Sequence, residues 1–144
     1  MGYADGLIIV HSAAGLFYHD LATGNTTNIV SVEETGISGD GLLIDNGNHR
    51  LYMTHNVLNR ISVFQLEYDS DQRNVKAHRV GFVASDLFDS PTASAQYGDL
   101  LYTANARFES IGLPAVGEGD LTSFSEQFSV VITRKSDVVV LQER

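Results

Sequence analysis

The chain has 144 residues, 43% of them hydrophobic, with 18 acidic against 9 basic side chains, a formal charge of −9 and no cysteine. That length and apolar content suit one ordinary domain, 1–144, with a real core. Phosphate neutralisation needs clustered Lys and Arg, so nucleic-acid binding is disfavoured, and the absence of cysteine excludes disulfides, thiolate catalysis and Cys-type zinc sites.

In chain order the pattern is that of strands. Val, Ile, Thr, Tyr and Phe cluster in short runs punctuated by Gly, Asn and Asp, and almost nothing has helical period. The runs predict strands over 7–12, 16–20, 27–32, 41–45, 50–55, 60–68, 76–84, 92–96, 100–104 and 128–134, and the final "DVVVLQ" adds a candidate. Asn46-Gly47 separates the fourth from the fifth, and both residues tolerate a positive φ, so a tight hairpin is expected there. The chain reads as all-β.

Three units repeat, over about 6–38, 39–89 and 90–144. "GLIIVHSAAGLFYHDLATG", "RLYMTHNVLNRISVFQLEYD" and "DLLYTANARF" say nearly the same thing, with Leu7 and Leu51 44 residues apart and Leu51 and Leu101 50 apart. The middle unit is the fullest: "DGLLID", "RLYMTHN", "NRISVFQLEY" and "VKAHRVGFVA" make four antiparallel strands in about 45 residues, the size of one propeller blade. The first unit lacks an innermost strand, and the third reaches "FSVVITRK" only after a long insertion. The expected architecture is therefore β-propeller-type, with about three antiparallel blades. Rings close with roughly four to eight blades. Three leave open apolar faces and strand edges, so the chain either pairs with a copy of itself or completes a larger propeller. A different closed all-β shape is the alternative.

On "GDGLLID" (39–45), "LYMTHNVLNRISVFQL" (51–66), "FDSPTASAQYGDLLYTANARF" (88–108) and the supporting "HSAAGLFYHDLATG" (11–24), the chain resembles the C-terminal half of the gluconolactonase, regucalcin and luciferin-regenerating-enzyme family of six-bladed propellers. The resemblance implies a lactonase-like, metal-dependent hydrolase acting on a small molecule, active only in an assembled ring. It implies a divalent cation, Ca²⁺ first, in the central channel, with Asp40 where the family's Pro-Asp-Gly aspartate is a ligand; here the preceding residue is Gly39. Further ligands would come from a segment outside this half. The competing expectation is a non-catalytic scaffold that self-associates to a homodimer or binds a complementary propeller half.

Read from the residues alone, Asp40 precedes a Gly and an apolar strand. Its carboxylate suits a hard cation at the inner end of a blade, and Asp-Gly equally suits a plain turn. His11, His55 and Asn105 occupy equivalent places at the ends of repeated strands. They are candidate ligand-binding groups around a channel mouth, or the hydrogen-bonding locks of turns. Two histidines without a third ligand do not make a zinc site.

"DSDQRN" (69–74) begins like a calcium loop but has Asn74 at the glycine position and Val80 at the bidentate-glutamate position, so a surface hairpin is expected. No G-x-S-x-G, P-loop or G-x-G-x-x-G motif occurs, so no catalytic residue is assigned. The segment 109–127 reads as a long loop, either a lid over the channel or a floppy insertion. No run reaches the roughly 20 apolar residues of a membrane helix. "MGYADGLIIV" lacks the basic n-region of a secretory signal, which leaves secretion of a longer parent chain open. Asn25-Thr26-Thr27 is a glycosylation acceptor in that setting.

Overall fold

The computed structural model describes residues 6–11, 15–29, 39–69, 75–107 and 129–140. Within them the chain is all strand and turn. The strands are β1 (Gly6–His11), β2 (Gly15–Asp20), β3 (Thr26–Asn28), β4 (Leu42–Asp45), β5 (Arg50–His55), β6 (Arg60–Tyr68), β7 (Val75–Ala84), β8 (Pro91–Tyr97), β9 (Leu100–Asn105), β10 (Val130–Arg134) and β11 (Val139–Val140). Every pairing is antiparallel, in three sheets ordered β1-β2-β3, β11-β7-β6-β5-β4 and β10-β9-β8.

Each sheet is built on a sequential meander, with short polar turns over 46–49 and 56–59 in the middle one. Asp45 ends β4 and accepts from Gly47 N (3.2 Å) and Asn48 Nδ2 (2.9 Å), which folds the chain back. The expected Asn46-Gly47 hairpin is a four-residue turn over 46–49. Its positive φ falls on His49 (50°), not on Gly47. The turn over 56–59 repeats the device, with Asn59 at φ 46°. Asn suits such positions because its short side chain tolerates the left-handed region.

The middle sheet is the centre of a stack, because alternation along its strands sends apolar side chains to both faces. Leu51, Met53, Phe64, Leu66, Val75 and Ala77 meet Leu16, Tyr18 and Ile29 of the first-sheet segment on one face. Tyr52, Ile61, Val63 and Val83 meet Phe88, Leu101 and Val131 on the other. Strict alternation would put Val75, Ala77 and Val83 on one face. Val80 is an extra residue opposite the Val63–Phe64 step of β6, a β-bulge, and it reverses the parity of β7 midway.

Two devices cover the outer edge of β7, an unpaired edge being a liability. Ala77 N donates to Ile29 O (2.8 Å), and β11 crosses from the third sheet to pair Val139 with Phe82 and Val140 with Gly81. A side chain at Gly81 would overlap the backbone of Val139, so the crossing requires glycine there. Lys135, in the turn before β11, ties the crossing down through its Nζ, 2.8 Å from Asp45 Oδ2. Of the "DVVVLQ" candidate, Val139–Val140 is thus a strand of the middle sheet, although it follows the third unit in sequence, and 141–142 lie outside the described residues.

The predicted strand 27–32 is seen as Thr26–Asn28, and its residues 30–32 lie outside the described residues, as do 70–74 of "DSDQRN" and the insertion 109–127. Among the described residues no helix is long and apolar enough to cross a membrane.

Candidate functional site

The residues singled out in the sequence gather at the ends of strands. Asp40 is exposed, on a short segment that runs into β4 between two glycines. Its N–H donates to Thr54 O (2.9 Å), and Thr54 N donates to Gly41 O (3.0 Å). The Thr54 hydroxyl is buried. It accepts from Gly41 N (2.8 Å) and donates to Thr92 O of β8 (2.6 Å), joining the middle sheet to the third. A methyl group at Gly41 would overlap that same Thr92 carbonyl and fall 2.9 Å from Ala93 Cα. Asp40 is therefore held by backbone contacts, with its carboxylate left to solvent.

His55, the last residue of β5, is buried, with Nε2 2.8 Å from Ser62 Oγ on β6. Asn105, the last residue of β9, is also buried. Its Nδ2 donates to Leu87 O (2.8 Å) and Ser129 Oγ (3.1 Å), and its Oδ1 accepts from Asp89 N (3.1 Å), which fixes the 85–90 connection against the third sheet. Asn59 Oδ1 accepts from Ser90 N (2.7 Å) and holds that connection to the middle sheet as well. Asp40 and His55 thus share one end of the middle sheet, and Asn105 lies at the matching end of the third, where it pairs with Pro91 beside Thr92. His11 ends β1, paired with Gly15. Among the described residues no three His, Asp or Glu side chains come together as a metal-binding group.

A nearly buried ion pair lies at the opposite end of β4. Asp45 and Lys135 have side-chain exposures of 7% and 14%. Burial pushes the Asp45 carboxyl up. The hydrogen bonds from Lys135 and Asn48 and the Lys135 charge outweigh it and hold the group below its ordinary 3.8.

Sequence reasoning passed over a second polar group, on the face of the middle sheet that packs on the first. Arg60, Ser62, Arg79 and Phe82 line a half-open recess of about 90 Å³. The guanidinium carbon of Arg60 lies 5.5 Å from the centre of the Phe82 ring. Single arginines in alternating strands read as solvent-facing, and only the bulge at Val80 brings Arg79 to the same side as Phe82. No protein-family model matches this chain, and no curated protein matches it closely enough to count as a relative.

Proposed function

We propose that the three sheets are blades of a propeller-type scaffold, and that a second copy of the chain completes the ring through the outer face of the third sheet. The composition of that face carries the reading. Its rows are Ala93–Ala104–Val130, Ala95–Tyr102–Ile132 and Tyr97–Leu100–Arg134, apolar at every position but one. Tyr97, Val130 and Ile132 are 78%, 60% and 57% exposed. The two faces of the middle sheet have the same character and are both covered by a neighbouring sheet. An open face of this kind is a site of association, and sheets stack face to face about 10 Å apart. With three sheets per chain and roughly four to eight per ring, two copies satisfy the count.

Light scattering behind a sizing column is expected to give twice 15.7 kDa, and Ile132→Lys to give 15.7 kDa with the far-ultraviolet spectrum unchanged. A wild-type monomer at every concentration would end the proposal.

The second reading, a lactonase-like hydrolase that works only in the assembled ring, is favoured by the rigid backbone that presents Asp40 to solvent. One carboxylate does not make a calcium site, which takes six to eight oxygens. The remaining ligands would come from another copy. When bound, a divalent cation polarises a lactone carbonyl and stabilises its oxyanion. This reading expects saturable thermal stabilisation by Ca²⁺ up to about 10 mM, well above the weakest sites of this kind, and its loss in Asp40→Ala. An unchanged Tm of the wild-type assembly across that range counts against it.

A further inference from the structure

The recess beside Phe82 is independent of ring closure and of Asp40, and its chemistry points in one direction. Arg60 and Ser62 stand two apart on β6, so they share a face. Ser62 pairs with Phe82, and Arg79 pairs with Phe64. Arg79 and Phe82 are three apart, which on a regular strand would set them on opposite faces. The extra residue, Val80, puts both over the recess. Bulges of this kind recur where a side chain has to be re-aimed at a site.

The charges are equally directed. The chain carries 18 acidic side chains against 9 basic ones, yet among the described residues Arg60 has no carboxylate partner. Its Nε–H is buried and donates to no acceptor there. A buried donor without an acceptor costs free energy that a bound acceptor recovers. The Ser62 hydroxyl lies beside it, oriented by His55 Nε2 at 2.8 Å. A guanidinium pairs with the two oxygens of a carboxylate or phosphate in one plane, which a spherical halide cannot reproduce. Phe82 leaves one wall apolar.

We infer that this recess binds a small oxyanion, a carboxylate or a phosphate group, with Arg60 as the principal contact, Arg79 as the second cationic wall and Ser62 as the hydroxyl contact. A half-open recess of about 90 Å³ has room for one such head group.

The test is a titration of the full chain with sodium phosphate and, separately, sodium acetate. Each is matched in ionic strength by sodium chloride and followed by the ¹⁵Nε–¹Hε resonance of Arg60 and by thermal unfolding. A saturable shift of the Arg60 resonance, with stabilisation beyond the chloride control, is the expected result. Phosphate alone would identify a phosphate ligand, acetate alone a carboxylate, and both an unselective oxyanion pocket. Arg60→Gln is expected to weaken binding at least about tenfold, the loss typical of a charged hydrogen-bonding group. Arg60→Lys keeps the charge without the planar fork and should fall between the two. If neither anion moves the Arg60 resonance beyond chloride, the inference is wrong, whatever the folding of the variants. Binding by a folded Arg60→Gln with wild-type affinity overturns it equally.

Discussion

Replacing Lys135 with methionine is expected to destabilise the chain by about 3–5 kcal/mol near neutral pH, the usual cost of removing one partner from a buried ion pair. Asp45 is nearly buried, and without the ammonium 2.8 Å away its charge keeps only the Gly47 and Asn48 donors. Domains of this size have about 5–15 kcal/mol in all, so a Tm lower by about 10 °C or more should be plain in calorimetry. The pH dependence supplies an internal check. The folded Asp45 is held below its ordinary 3.8, so its contribution is complete above that value and is lost as the pH falls through the lower, folded one. The wild-type and Lys135→Met stability curves should therefore converge on acidification, because the variant lacks the interaction that protonation destroys. Adding Asp45→Leu to Lys135→Met should recover part of the loss, since an apolar pair avoids stranding a charge. A gap that stays constant down to acid pH would mean that Lys135 acts through packing alone.

Gly41→Ala should be clearly destabilising, as a methyl group at Gly81 should be, because backbone stands in the way at both. The carbonyl of Thr92 and the Cα of Ala93 stand where the new Cβ would go. Both are backbone atoms of β8, Ala93 paired with Ala104 and Thr92 at the irregularity beside it, so no rotamer change relieves the overlap. Overpacking of this kind costs about 1–3 kcal/mol and occasionally more. Here it also strains the Thr54 hydroxyl, which bonds Gly41 N and Thr92 O together. Urea unfolding should show a lower midpoint at an unchanged slope. A loss within about 0.5 kcal/mol, the range of an ordinary surface change, would show that the second and third sheets are free to move apart at this seam.

The strands were legible because period-two alternation and turn residues are local signals. Arg60–Tyr68 and Arg50–His55 stand where the sequence puts them, at both ends. Local signals have no way to report partners distant in the chain. "VKAHRVGFVA" reads as one uninterrupted strand, and the bulge at Val80 exists only against β6. The partner of Asp45 lies 90 residues on, and that of Val139 lies in a different unit. The sequence left two readings for Asn105 and His55, ligand or lock. The structure gives each a hydrogen bond inside the protein, and Asn105 three. Arg60 and Arg79 carried no motif, and the recess they line follows from strand pairing alone.

The crossing of β11 bears on the order in which the chain reaches its final form. During synthesis β7 emerges with one side unpaired over Gly81 and Phe82, and the segment that pairs there leaves the ribosome nearly sixty residues later. Local meanders close quickly, while a contact of such separation waits on loop closure. The middle sheet therefore passes through a stage with an open, sticky edge. The last described strand both completes that sheet and removes the template on which another nascent chain would pair.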